Sequence, residues 1–89
     1  MANPCTHLRQ VKVSSTDKNF CEECVKTNDT WVQLRMCTEC GHVGCCDSSK
    51  NQHATKHFKA TQHPVIRSAE PGDTWMWCYV DRQYGEIAA

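Results

Sequence analysis

Apolar and polar residues alternate in several short stretches of the chain, and this pattern predicts strands separated by polar turns. Stretches rich in β-branched and aromatic residues predict strands at residues 31–36, 64–67 and 74–80. Val11 and Val13 alternate in the same way, and they predict a further short strand within an otherwise loop-like first third of the chain.

One helix is predicted at residues 48–61. Ser48 or Ser49 can cap its first turn, residues 50–61 contain neither glycine nor proline, and Pro64 prevents its continuation. The predicted fold class is therefore α+β, a short sheet packed on one helix. At 89 residues the chain has room for a single domain, 1–89.

The composition indicates that this domain needs more than an apolar core. Apolar residues make up 39% of the chain and the mean hydropathy is −0.64. Short chains often depend on metal ions or disulfides for stability, and eight cysteines with five histidines supply the donors. No stretch approaches the ~20 apolar residues of a membrane span.

Zinc explains these residues better than disulfides do. The first four residues, Met-Ala-Asn-Pro, have neither a basic region nor an apolar run, so we expect a cytoplasmic protein in a reducing compartment. Disulfides would also leave the histidines unexplained. The formal net charge of zero lacks the basic excess of most nucleic-acid binders, which argues against a nucleic-acid partner.

Two Cys-x2-Cys pairs carry the metal-binding pattern, Cys21 with Cys24 and Cys37 with Cys40. Such a pair wraps one zinc ion through a tight turn, and Gly41 relieves the turn after the second pair. The remaining donors lie elsewhere along the chain: Cys5, His7, His42, Cys45, Cys46, His53, His57, His63 and Cys78. His53 and His57 lie on one helix face, and spacing alone lets them share an ion or face different ions.

A catalytic role finds little support in the sequence. A catalytic zinc keeps an open coordination position, whereas doubled knuckles usually fill theirs with protein ligands. The chain has no Gly-rich phosphate loop and no readable nucleophile–base pair. We therefore expect a non-catalytic zinc-binding module, with a purely structural or nucleic-acid-associated zinc protein as the alternative.

The order of these motifs resembles the ubiquitin-protease-type (UBP-type) zinc finger. The pattern is Cys-x-His, Cys-x2-Cys, Cys-x2-Cys-Gly-His-x-Gly-Cys, His-x3-His-x5-His and Trp-Cys-Tyr, and it extends from Cys5 to about Tyr84. This family occurs in deubiquitinases and in a ubiquitin-binding deacetylase, and the chain is similar to standalone bacterial members.

The resemblance implies cross-braced sites for two or three zinc ions, with three favoured. Site 1 comprises Cys21, Cys24, Cys45 and His53. Site 2 comprises Cys37, Cys40, His57 and His63. Site 3 comprises Cys5, His7, Cys78 and Asp81, and Asp81 stands where three-zinc members usually have cysteine. Cys46 is left as a free thiol and His42 as a structural histidine.

The resemblance also implies a ligand cleft. Eukaryotic members bind the free C-terminal Gly-Gly tail of ubiquitin between aromatic walls and an arginine. Trp77, Tyr79 and Tyr84 match aromatic positions of that pocket, but the arginine position is Asp47. Asp47 disfavours binding of the ubiquitin tail unless Arg35 supplies the positive charge. We therefore expect the cleft to bind another peptide or protein tail. We also expect the protein to be a monomer.

Overall fold

Residues 6–86 are described by the computed structural model of the protein. Within these residues a 3-10 helix at Thr6–Arg9 comes first, and there are two α-helices, α1 at Glu22–Lys26 and α2 at His53–Thr61. Its five strands are β1 (Leu34–Cys37), β2 (Val43–Cys45), β3 (Val65–Ser68), β4 (Trp75–Cys78) and β5 (Gln83–Glu86). No helix within residues 6–86 is long and apolar enough to cross a membrane.

The five strands form one antiparallel sheet in the order β2-β1-β3-β4-β5. Cys37 lies opposite Ile66, Ile66 opposite Trp77, and Trp77 opposite Tyr84. Directly opposed residues share a face of the sheet, and alternation along β1 adds Arg35 to it. The register therefore collects the predicted cleft residues of three strands on one face.

The core lies mainly on the other face of the sheet. One cluster joins Leu34, Met36 and Val43 to buried cysteines, with Val13, Trp31 and Ala69 packed against it. A second cluster joins Val65, Met76 and Cys78, with Leu8 and Val11 packed against it. Trp31 thus packs against the core of the domain.

Helix α2 covers β1 and β2 from the face that carries Arg35 and Trp77. Gly44 makes this close approach possible: a Cβ atom added there would lie 2.7 Å from the backbone nitrogen of Ala54. Because real Cβ atoms do not come so close to backbone, any side chain at position 44 would push the helix away. The missing side chain sets the distance between helix and sheet.

The structure confirms the α+β class and the three main strands, and it corrects three details. Val11 and Val13 form no strand; Lys12 and Val13 both donate their backbone N–H to the Thr38 carbonyl. Helix α2 begins at His53 because Gln52 adopts a left-handed conformation (φ 49°), so Ser48 and Ser49 do not cap it. Helix α1 and strand β5 were not predicted.

Candidate zinc centres and an adjoining aromatic cleft

The four residues expected in site 1 meet where α1, β2 and α2 converge. The Nδ1 atom of His53 lies 3.2 Å from the Sγ of Cys21, 3.4 Å from that of Cys24 and 3.5 Å from that of Cys45. The Sγ atoms of Cys24 and Cys45 are 3.9 Å apart. All three cysteines are fully buried.

These distances fit a tetrahedral zinc ion. Zn–S and Zn–N bonds of about 2.3 and 2.0 Å place sulfurs about 3.8 Å apart and a sulfur and nitrogen about 3.5 Å apart. Burial is the main cause that raises the pKa of the Cys21 thiol to about 12, and the neighbouring Cys45 thiol contributes in the same direction. A divalent cation is what would make the thiolate form favourable in such a place.

The four residues expected in site 2 also come together, from the β1–β2 turn, α2 and the segment before β3. The Sγ of Cys40 lies 3.4 Å from Nε2 of His57, and the Sγ of Cys37 lies 3.5 Å from Nδ1 of His63. All four donor atoms lie within 4.8 Å of one another. Burial, helped by His42 and His63, lowers the pKa of His57, which favours the neutral imidazole that a metal needs.

The two histidines of α2 therefore belong to different clusters. His53 faces the cysteines of α1 and β2, and His57, one turn further on, faces the knuckle that contains Cys40. Spacing alone had left a shared ion open, and the geometry of the helix separates the two donors. Ligands from the two clusters interleave along the chain, which is the cross-braced arrangement.

Three of the four residues expected in site 3 lie together near the end of β4. The Nδ1 of His7 is 2.9 Å from Oδ2 of Asp81, and the Sγ of Cys78 lies 3.7 Å from the first atom and 3.8 Å from the second. Asp81 also donates its backbone N–H to the Cys78 sulfur. Cys5 lies outside the described residues.

His42 and Cys46, two donors outside the three clusters, contact neighbouring protein groups. His42 lies beside Glu23, 2.7 Å from its carboxylate, and its ring stacks on that of His57 with centroids 4.1 Å apart. The thiol of Cys46 is buried against the Ser49 hydroxyl at 3.4 Å and belongs to none of the three clusters of the described chain.

Sequence reasoning passed over the acidic pair inside the first knuckle. Glu23 contacts His42, and Glu22 accepts a hydrogen bond from the backbone N–H of Val43 at 2.7 Å. The two carboxylates tie α1 to the β2 region between sites 1 and 2. Two acidic residues enclosed by a Cys-x2-Cys pair, Cys21 to Cys24, were the available signal.

A cleft of about 290 Å³ lies between the loop before α2 and the aromatic face of the sheet. Its walls include all four residues expected to bind a ligand: Arg35, Trp77, Tyr79 and Tyr84. Trp75 and Asp47 line it as well. The ring centroids of Trp77 and Tyr84 are 4.7 Å apart, so part of the wall is a continuous aromatic surface.

Arg35 and Asp47 give this cleft two opposite charges. The guanidinium carbon of Arg35 lies 4.6 Å from the centroid of the Trp75 ring, and its nitrogens donate to the Leu34 carbonyl and the Gln33 side chain. Asp47 accepts a hydrogen bond from the Thr55 hydroxyl at 2.6 Å. Because that hydroxyl has one hydrogen, it accepts in turn from Tyr79 at 3.1 Å.

Two cross-braced Cys/His clusters, a third Cys/His/Asp cluster and a small antiparallel sheet define a zinc-stabilised finger domain. The family described as "Zn-finger in ubiquitin-hydrolases and other protein" matches residues 21–87. The chain belongs to this UBP-type zinc-finger family, and it is a zinc-binding domain.

Several relatives are large enzymes that contain a similar region. Human ubiquitin carboxyl-terminal hydrolase 45 is 35% identical over 76 residues, which cover 68% of this chain and 8% of that protein. The NAD-dependent deacetylase sir2A of Dictyostelium discoideum is 33% identical over 89 residues, covering 90% of this chain and 16% of that protein. The chain thus spans only a small part of the relatives it matches.

A solved structure of similar size matches nearly the whole chain. The solution NMR structure of protein RPA1320 from Rhodopseudomonas palustris is 45% identical, with a TM-score of 0.85. The match covers 98% of this chain and 85% of that one. The fold is therefore shared along almost the full length of both proteins.

Proposed function

We propose that this domain is a non-catalytic binding module whose zinc ions hold the fold and whose aromatic cleft binds the C-terminal tail of a peptide or protein. The observation that carries the proposal is the cleft itself. It brings Arg35 and the aromatic side chains of β4 and β5 to one concave surface. Concave, largely aromatic sites with a few convergent polar groups are typical binding sites.

The donor sets support a structural role for the metal. We assign sites 1, 2 and 3 the ligands expected from the sequence, and sites 1 and 2 then have four protein donors each. Four protein ligands leave no position for a reacting water, in contrast to a catalytic zinc. The metal ions would supply folding free energy, on the order of 10 kcal/mol or more per site.

Arg35 is the group best placed to receive a tail carboxylate. A guanidinium has five N–H donors, and the contacts of Arg35 to Leu34 and Gln33 involve two of them. The remaining donors can pair with a carboxylate, and stacking on Trp75 limits the motion of the side chain. Charge-assisted contacts of this kind are stronger than neutral hydrogen bonds.

Ubiquitin itself is not the ligand that we propose. The matching hydrolases are named for ubiquitin. The resemblance to the family implies a pocket arginine at the position where this chain has Asp47. The Asp47 carboxylate would repel a tail carboxylate at that position. We therefore place the tail carboxylate at Arg35. The sequence-based expectations of a monomeric, cytoplasmic protein stay predictions.

A positional library of N-acetylated tetrapeptides with free C-terminal carboxylates tests the proposal, with quenching of Trp75 and Trp77 fluorescence as the readout. We expect defined sequences to bind and their C-terminal amides to bind at least about tenfold more weakly. Arg35→Gln should remove this difference, whereas Lys56→Gln, which removes an exposed charge outside the cleft, should not. Equal binding of acids and amides would refute the role of Arg35, and no binding would refute tail recognition.

A further inference from the structure

We infer that the cleft contains a second subsite, formed by Asp47 and the neighbouring aromatic rings, which binds an organic cation. The tail that this domain recognises would then carry a basic side chain near its terminal carboxylate. This inference rests on the proposed tail binding and adds the chemistry of the ligand.

The position of Asp47 is held from two sides. Its Oδ1 accepts from the Thr55 hydroxyl, and its backbone carbonyl accepts from the Gln52 side chain at 3.1 Å. Both partners belong to α2 or its cap, so the carboxylate is anchored to the helix that site 1 and site 2 hold in place. A charge fixed in this way is ready for a ligand without further ordering.

One oxygen of that carboxylate remains open. Within the described residues 6–86, the Oδ2 of Asp47 receives no hydrogen bond, and no lysine or arginine forms an ion pair with Asp47. Arg35 lines the same cleft, yet its nitrogens are directed to Leu34 and Gln33. The negative charge is therefore not neutralised by the protein around it.

The rings beside Asp47 suit a cation. Tyr79 is linked to Asp47 through Thr55 and stacks on Phe58, with centroids 4.5 Å apart. Trp77 and Tyr84 form the adjoining wall. Faces of aromatic rings attract ammonium and guanidinium groups, and a nearby carboxylate adds to that attraction.

Opposite charges in one cleft also exclude other ligands. A tail with an acidic side chain would meet Asp47 with like charge, and a fully apolar tail would gain no attraction from it. A ligand with a carboxylate at Arg35 and a cation at Asp47 pairs with both charges of the cleft. Asp47 thus acts as a specificity-determining residue of the cleft.

The tetrapeptide library described above also tests this inference. We expect the wild-type domain to select lysine or arginine at one of its variable positions. The selected peptide, resynthesised with norleucine there, should bind about tenfold more weakly, because norleucine keeps the alkyl chain and lacks the charge. Versions with arginine, with trimethyllysine, and with norleucine plus a free N-terminal ammonium identify which cation is accepted.

Asp47→Asn keeps the size of the side chain and its ability to accept from Thr55, so we expect it to remove the preference for lysine over norleucine. Asp17→Asn, an exposed substitution outside the cleft, should preserve the preference. In the wild type, raising the salt concentration should weaken the lysine peptide more than the norleucine peptide. Zinc content and circular dichroism verify that each variant is folded.

The outcomes separate the two proposals. Peptides that bind through their carboxylate without selection of a basic residue would refute the cation subsite and leave tail recognition intact. A lysine preference that survives in a folded Asp47→Asn variant would also overturn the subsite. Failure of every library member to bind the zinc-loaded wild type would overturn both.

Discussion

Replacing Gly44 by alanine tests whether the approach of α2 to the sheet controls metal binding. The added Cβ would lie 2.7 Å from the Ala54 nitrogen, 2.9 Å from the His53 carbonyl carbon and 3.0 Å from the Ala54 Cα. All three atoms are backbone, so a side-chain rotation cannot relieve the contact. Helix α2 must move outward at its first turn.

The size of the movement sets the expected effect. Comfortable carbon contacts begin near 3.5 Å, so the first turn must retreat by somewhat less than about 1 Å. Forcing extra atoms into a packed contact costs about 1–3 kcal/mol. Because His53 lies in this turn and metal–ligand distances tolerate only about 0.2 Å, much of the cost should appear as weaker zinc binding at site 1, roughly five- to 150-fold.

Competition with a chromophoric zinc chelator measures this loss, together with thermal unfolding at limiting and saturating zinc. We expect one ion to be released more readily in the variant and the melting temperature to recover partly with excess zinc. Gly72→Ala is the matched control, because Gly72 has a positive φ of 86° but open space around it. It should lower stability by about 1 kcal/mol and leave zinc affinity unchanged.

A Gly44→Ala variant that binds all its zinc as tightly as the wild type would refute this reasoning. So would an equal loss of zinc affinity in Gly72→Ala, because the effect would then come from general destabilisation and not from displacement of His53.

Further predictions concern the metal and the cysteines. A strong chelator should unfold the domain, and a cooperative apo form with native circular dichroism would contradict the structural role of zinc. Native mass spectrometry should count three zinc ions in the wild type and two, or a weakly held third, in Asp81→Ala; equal counts in both would exclude Asp81 as a ligand. Cys37→Ser should lose an ion and unfold at a much lower temperature, whereas Cys46→Ser should keep both zinc content and fold. Equal damage from the two substitutions would contradict the interpretation of Cys46 as a spare thiol.

The sequence carries more information about the candidate metal clusters than about the elements around them. The spacing of cysteines and histidines indicates metal binding directly, since few other constraints place Cys-x2-Cys twice within twenty residues. The resemblance to a family then paired the donors, and the structure brings together each described member of the three sets. Spacing alone could not assign His53 and His57, because residues four apart lie on the same face of a helix. Only the three-dimensional structure shows that they face different clusters.

Local patterns misled where tertiary contacts decide the backbone. Val11 and Val13 alternate because they pack against two different core clusters, and no neighbouring strand pairs with them. Ser49 was expected to cap the helix, but its hydroxyl accepts from the backbone N–H of Val32 at 2.8 Å. That contact fastens the loop before α2 to the segment preceding β1, and the helix starts later, at His53.

Strand β5 has little propensity of its own, since its sequence is Gln-Tyr-Gly-Glu. Its pairing with β4 places Tyr84 opposite Trp77, and Arg82 adopts a left-handed conformation (φ 54°) in the intervening turn. A cross-strand aromatic pair of this kind stabilises a strand that propensity does not predict.

The interleaving of the two principal clusters also determines how the domain behaves when it is cut. A break in the loop between Cys46 and His53 would separate His53 from its three cysteines and divide site 2 into a cysteine half and a histidine half. Neither fragment would then own a complete tetrahedral site. Recovery of tight zinc binding on mixing the two fragments would report their reassembly. The domain can therefore be converted into a split sensor in which zinc binding is the measured signal.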